Sequence, residues 1–264
     1  MQSNNIEKLR QQSPLIHNIT NVVVANYVAN GLLSLGCSPI MSNAIEEMDE
    51  LPAICKALVI NIGTLTSEQV KSMRKAGISA NKNNIPVVLD PVGVGATTFR
   101  QETVKTLLSE IKFDLIRGNA GEIAHLAQVA WNAKGVDAGS GEANLSQIAI
   151  DVALKYNCIV SISGETDYIS DGKKVAKIDN GTVLFPKITG SGCLLSAVCG
   201  AFLTLEGNKF ELIVGACTSY AVAGQIVKEN LDNNQTGQFY IALLDSLAKL
   251  DDKTVEQYAK ISFD

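Results

Sequence analysis

The chain has 264 residues, 46% of them hydrophobic and 5% aromatic, with a net charge of −5 and a sequence pI near 5.2. That is enough apolar material for one sizeable core, and it is the wrong charge for the basic footprint that nucleic acid or an anionic membrane requires. No basic stretch followed by an apolar one opens the N-terminus, and Gly, Asn or Ser breaks the longest apolar runs before about 18 residues, so neither a signal peptide nor a membrane span is expected.

From residue 11 to residue 55 there is no Lys or Arg. Residues 17–44 (HNITNVVVANYVANGLLSLGCSPIMSNA) read either as a charge-poor buried helix with a connector or as the wall of a pocket for a small neutral molecule. In the second reading Asn21 supplies a polar contact and Met41 an adaptable apolar wall. His17, at the head of the stretch, is expected to orient a loop.

Short apolar runs without alternation follow: KALVINIG (56–63), IPVVLDPVG (85–93), FDLIRGN (113–119) and CIVSISG (158–164). Runs of this kind are strands covered on both faces. Between them, LTSEQVKSMRKAGISANKNN (65–84) and TVKTLLSEI (103–111) are amphipathic helices, the first opened by Ser67 and Glu68 without a full capping box. Strand, helix and strand at this spacing predict an α/β fold with a mostly parallel central sheet and helices on both faces. DAGSGEANLSQ (137–147) reads as a mobile loop. FPKI (185–188) is strand-like, and from Gly190 to about Leu250 the pattern is helical and rich in small residues. With no linker or repeat, residues 1–264 are expected to form a single domain. The six cysteines, at 37, 55, 158, 193, 199 and 217, show no metal-binding spacing and read as reduced thiols of a cytoplasmic protein.

In a parallel sheet, ligands sit beyond the carboxyl ends of the strands, so the polar residues there are the candidates for chemistry. TGSGC (189–193) places Gly190, Ser191 and Gly192 at a helix N-terminus, where bare N–H groups form an anion hole. It is neither a Walker A loop nor a complete GxGxxG, because the sixth position is Leu195. Asp90 ends a buried strand and either caps the turn before Pro91 or holds Mg²⁺. Asn119 and Glu122, three apart at a helix start, face the same side. Arg117, read as ending a strand, suits a phosphate better than a core. Ser163 lies at another strand end. His125 reads as packed or exposed.

Six motifs in order, PLIHNITN, SPIMSNA, DPVGVGAT, RGNAGEI, SGETDYISDG and TGSGCLLSA, resemble those of hydroxyethylthiazole kinases, members of the ribokinase-like superfamily. The resemblance implies ATP- and Mg²⁺-dependent phosphorylation of 4-methyl-5-(2-hydroxyethyl)thiazole for thiamine biosynthesis, by a homotrimer with active sites between subunits. It also implies that Met41 and Gly190, with Asn21 nearby, contact the thiazole. By the same motifs Arg117 and Ser163, together with Asn119, meet ATP, and Asp90 and Glu122 serve the metal. Ribokinase-like enzymes usually place an aspartate base where this chain has Cys193, so Cys193 is the catalytic candidate; the helix N-terminus is expected to lower its pKa and make it a weak base or a spacer. Two alternatives keep the fold: a kinase for hydroxymethylpyrimidine or another small vitamin alcohol, and a hydro-lyase acting on hydrated nicotinamide nucleotides. A third is a nucleotide-binding sensor that has lost catalysis.

Overall fold

The computed structural model describes residues 4–129, 132–134, 137–140 and 144–264. In chain order the elements are α1 (Asn5–Gln12), β1 (Leu15–Ile19), α2 (Ala25–Leu35), β2 (Ser38–Met41), α3 (Leu51–Ile54), β3 (Ala57–Asn61), α4 (Ser67–Lys82) and β4 (Val87–Asp90). There follow α5 (Thr98–Glu110), β5 (Leu115–Asn119), α6 (Ala120–Ala127), β6 (Asn132–Lys134), β7 (Asp137–Ser140), α7 (Leu145–Tyr156), β8 (Ile159–Ser163), β9 (Asp167–Ser170) and β10 (Val175–Ile178). The chain closes with α8 (Ser191–Phe202), α9 (Lys209–Lys228), α10 (Thr236–Lys249), α11 (Asp252–Tyr258) and β11 (Ile261–Phe263).

The four apolar runs are β3, β4, β5 and β8. They are unbroken because consecutive side chains enter different cores. In β3, Ala57 and Val59 join the core beneath α2, α8, α9 and α10, while Leu58 and Ile60 join the core beneath α4, α5, α6 and α7. The nine-stranded sheet runs β11-β10-β9-β8-β5-β4-β3-β1-β2. Its pairings from β2 to β8 are parallel, and those of β9, β10 and β11 are antiparallel. The fold is therefore α/β with a mostly parallel central sheet.

Several local expectations are corrected. Helix α4 does carry a capping box: Thr66 Oγ1 accepts from the Gln69 N–H and Gln69 Oε1 from the Thr66 N–H, so the cap lies one residue before Ser67. Helix α5 starts at Thr98, capped by Thr97, five residues ahead of the amphipathic run. Phe185–Lys187 is a 3₁₀ turn and not a strand, because Pro186 fixes the backbone and Leu184 already folds back. Of residues 137–147, Asp137–Ser140 is a strand paired with β6 and Leu145 opens α7, while 141–143 lie outside the described residues. Helix α9, at 20 residues, is long and apolar enough to cross a membrane, yet most of it is buried in this core.

The topology brings β1, β3, β4, β5 and β8 to one edge with their carboxyl ends together. Asn61, Asp90, Asn119 and Ser163 end four of these strands, and Asn21 follows the fifth. Helix α8 packs across β1, β3 and β4 and aims its N-terminus at the same edge.

Candidate active site

The N-terminus of α8 is shaped by close backbone approaches. Gly190 is its N-cap, in the left-handed region at φ +92°, and a Cβ there would lie 2.9 Å from Val24 Cγ1. Only glycine avoids both the strain and the clash. A Cβ on Gly192 would lie 2.6 Å from Arg117 Nη1, so the first turn rests directly on the guanidinium. No side chain caps the helix. Ser191 instead turns its Oγ back to the Phe185 carbonyl (2.8 Å), and its own carbonyl accepts from the Tyr220 hydroxyl (2.8 Å). The first N–H groups of the helix have no intrahelical acceptor, so Gly190, Ser191 and Gly192 present an open set of donors with the positive end of the helix dipole behind them.

Beneath that turn lies a buried charge cluster. Asp90 is 1% exposed; its Oδ2 accepts from Asn61 Nδ2 and Ser196 Oγ, both at 2.8 Å, and stands 4.0 Å from Arg117 Nη1. Its Oδ1 is buried without a partner. Burial holds the Asp90 carboxyl above the usual carboxylate range although Arg117, Ser196 and Asn61 pull it down. Glu122 is the N3 residue of α6. Its Oε2 accepts from the Asn119 N–H (2.8 Å), its Oε1 from the Gly93 N–H (2.9 Å), and the Asn119 side chain caps the helix in return (3.0 Å). Burial first, and then the neighbouring Asp90, push Glu122 up to about 7.

Arg117 is corrected most. It is the middle residue of β5, 7% exposed, and does sit in the core. Its Nη2 donates to Ser163 Oγ, and Nε has no partner. Burial pulls its pKa down, but Asp90, Glu122 and Asp167 around it raise it above the ordinary arginine value, so it stays charged. Asp167 is the third carboxylate of the cluster. It accepts from the Gly164 N–H (2.9 Å), and burial pushes it up to about 6. Its folded pKa exceeds the unfolded value near 3.8, so its protonation stabilises the fold at low pH, and that stability is lost as pH rises through about 6. Asp167→Asn keeps an acceptor for Gly164 and removes the buried charge. Above pH 7 it is expected to raise stability by on the order of 2 kcal/mol, with no gain near pH 4; urea unfolding across this range checks it, and an equal effect at both ends would refute it.

Cys193, third residue of α8, accepts from Asn21 Nδ2 at 3.4 Å, and Asn21 Nδ2 also donates to Asn61 Oδ1 at 3.0 Å. The thiol is not activated. Burial, followed by the nearby Asp90, pushes it up to about 12, against the lowering expected from the helix end. It is a neutral thiol at physiological pH and cannot serve as a base there. Cys193→Ala is expected to keep kcat within about tenfold of the wild type, below the ~10²–10⁴-fold loss that removal of a general base brings; steady-state assays decide, and a loss beyond a hundredfold would restore a catalytic thiol.

The remaining candidates divide. Gly190, Asn21, Cys193, Asp90, Arg117 and Ser163 are joined through contacts around the α8 N-terminus. Met41 ends β2, the outermost strand, level with Asn18 of β1, and is tied to the site by apolar packing in the core that also holds Cys193 and Phe185. His17 is buried, and its Nε2 donates to the Ser42 carbonyl (3.0 Å), fixing the loop after Met41. His125 is on α6, half-buried, beside Gly95. Sequence reasoning missed Asn61, Ser196, Asp167 and Tyr220. Asn61 carried the same signal as Asp90, a polar residue closing an apolar strand; the other three lie within helices or at a hairpin, where nothing local distinguishes them.

A family profile described as "Hydroxyethylthiazole kinase family" matches residues 6–253. The chain is 60% identical to the hydroxyethylthiazole kinase of Pasteurella multocida (strain Pm70) over 98% of each chain. It is 59% identical to that of Histophilus somni (strain 129Pt) over the full length of both. Among solved structures, the hydroxyethylthiazole kinase protein of Pyrococcus horikoshii OT3 superposes with a TM-score of 0.89 at 36% identity, over 99% of this chain and 98% of that one. The pyridoxal kinase of Staphylococcus aureus in complex with pyridoxal shares the fold, with a TM-score of 0.63 at 13% identity over 95% of this chain and 97% of its own.

Proposed function

We propose how the reaction proceeds from one premise: this chain belongs to the hydroxyethylthiazole kinase family. It is a kinase that phosphorylates the hydroxyethyl side chain of 4-methyl-5-(2-hydroxyethyl)thiazole with ATP, for thiamine biosynthesis and salvage. The assignment of its residues rests on one observation above all: an uncapped helix N-terminus, a buried arginine and an aspartate with an unshared oxygen meet at the carboxyl edge of the sheet.

In this reading the transferring phosphoryl group lies over Gly190, Ser191 and Gly192, whose N–H groups meet the charge on its oxygens. Arg117 supplies the fixed positive charge beneath them, and Ser163 and Asn119 line the ATP side. The alcohol lies beside Asn21 and Cys193, with Gly190 and Met41 against the thiazole ring. The transition state is loose, so the hydroxyl proton can leave late, to an oxygen of the transferring phosphoryl group as ADP departs, and no side chain need be a strong base; a neutral Cys193 leaves room for the hydroxyl. Asp90 and Glu122 fit a divalent ion, since the orphaned Asp90 Oδ1 is available and the two acids repel each other in a buried site. Among the described residues no cluster of three or more His, Cys, Asp or Glu forms a cage, which suits Mg²⁺ held by one or two carboxylates together with phosphates and water. When bound, Mg²⁺ would neutralise charge on the phosphates.

The exposed Val22 (74%) and Val23 (65%), next to Asn21, support a subunit contact at the mouth of the site, which the homotrimer implied by the sequence motifs would bury. Met41→Lys tests the pocket. An ammonium against an apolar ring is expected to weaken thiazole binding at least tenfold, about 1.4 kcal/mol, with ATP binding little changed. Calorimetry with both ligands, on protein whose mass is measured by sedimentation, checks site and assembly together. Unchanged thiazole affinity would remove Met41 from the pocket, and a monomer of 28.1 kDa would remove the trimer.

A further inference from the structure

Asn61 closes β3 and is buried, and its amide has one permissible orientation. Asp90 Oδ2 accepts its Nδ2 hydrogen at 2.8 Å, while the Gly63 N–H donates to its Oδ1 at 2.9 Å. A backbone N–H can only donate, so Gly63 fixes Oδ1 as the accepting end of the amide and leaves Nδ2 facing Asp90. Its Oδ1 must then take a second donor, Asn21 Nδ2 at 3.0 Å. The polarity passes on: both functions of Asn21 Nδ2 are directed at Asn61 and at Cys193 Sγ, and Asn21 Oδ1 makes no hydrogen bond among the described residues. Asn21 is held there by packing as well, since a Cβ on Gly63 would lie 2.7 Å from its Nδ2.

We propose that Asn61 is a positioning residue for the phosphoryl transfer: it aims the Asp90 carboxylate and, by fixing the polarity of Asn21, leaves Asn21 Oδ1 as the acceptor that orients the hydroxyl of the substrate alcohol. The chain Asp90–Asn61–Asn21 then couples the phosphate side of the site to the alcohol side through one amide. The hydroxyl donates a hydrogen bond to this neutral amide oxygen, which directs an oxygen lone pair at the γ-phosphorus; as the new O–P bond forms and the bond to ADP breaks, the proton passes to an oxygen of the transferred phosphoryl group. This inference rests on the reading that Asp90 serves the phosphates and Asn21 the alcohol.

Kinetics with ATP, magnesium and the thiazole alcohol on the full chain test it, with unfolding midpoints measured alongside. Asn61→Ala removes every contact. Asn61→Asp keeps the size and the acceptor contacts to Gly63 and Asn21 but cannot donate to Asp90. In both, kcat is expected to fall at least about tenfold, while the KM for the alcohol stays within about threefold. Asn61 acts partly through Asn21, so the Asn21→Ala Asn61→Ala double variant should lose clearly less than the product of the two single losses, with the Asp90 contact accounting for what remains. Folded Asn61→Asp with kcat within about twofold of the wild type, or additive losses in the double variant, overturns the proposal. If Asn61→Ala does not fold, Asn61→Asp decides alone. Asp90→Asn separates the two levels: if it loses its rate while Asn61→Asp does not, only the positioning role falls; if it keeps full rate, the reading of the site falls and takes the positioning role with it.

Discussion

Arg117→Ala is expected to lower the unfolding midpoint by on the order of 10 °C and to end productive use of ATP. The guanidinium stands among Asp90, Glu122 and Asp167 in the sheet interior, and it is the charge that all three carboxylates face. Removing one partner of a buried ionic group leaves uncompensated charge, which costs about 3–5 kcal/mol. For a chain of this size each kcal/mol moves the midpoint by about 2–4 °C. The same substitution opens a cavity under Gly192, so the first turn of α8 loses its floor. The alcohol side of the site is touched less, and thiazole affinity should suffer less than ATP affinity. Arg117→Lys keeps the charge without the planar fork, so it should recover part of the stability and little of the ATP use. Calorimetric melting and ATP titration of both variants decide it. An unchanged midpoint with unchanged ATP affinity would show that Arg117 is neither a structural counter-ion nor a phosphate contact.

Asp90→Asn is expected to separate activity from stability. Loss of one preorganised electrostatic contact in a dry site typically lowers kcat by about 10²–10³-fold, and Asp90 ends its strand at the carboxyl edge of the sheet and carries a fully buried carboxylate oxygen without a partner. Burial, however, disfavours its charge, so the isosteric amide should leave the unfolding midpoint unchanged or higher. The shape, the Ser196 contact and the remaining acids around Arg117 are kept. A fall in kcat of at least about a hundredfold with no loss of midpoint is the expected pair of results. Equal losses of both would make Asp90 a structural residue, and an unchanged kcat would remove it from the reaction. Magnesium titration of the folded variant by calorimetry gives a second readout, since binding should weaken if Asp90 Oδ1 is a ligand.

Much of the frame is legible in the sequence, because it depends on local pattern. Val, Ile and Leu in unbroken runs have one stable use in a chain of this size, as strands covered on both faces, and β3, β4, β5 and β8 follow from it. The antiparallel strands β9 and β10 were not read, although Asp171-Gly172 marks the hairpin between them, since DYIS and VAKI are too short and mixed to stand out. The capping box of α4 was missed by one residue: the signal is Thr66 with Gln69, and Ser67 beside it looks just as much like a cap.

The amino-acid sequence by itself determined the central strands β3, β4, β5 and β8 with helices α4 and α5 between them, the family motifs and the glycines that let α8 approach its neighbours, because each depends on residues close in the chain. Only the tertiary structure decided what those residues become together. Arg117 reads as a phosphate ligand at a strand end, and the fold places it in the middle of β5, where three acids from β4, α6 and β9 make it a buried counter-ion. Cys193 reads as a thiol activated by a helix end, and burial beside Asp90 keeps it protonated. Asn61 carries only the signal of a polar residue closing an apolar strand, and the fold joins it to Asp90 across 29 positions and to Asn21 across 40. A charge's environment and an amide's orientation are sums over neighbours distant in the chain, so no local pattern contains them; they exist once the sheet has brought its strand ends together.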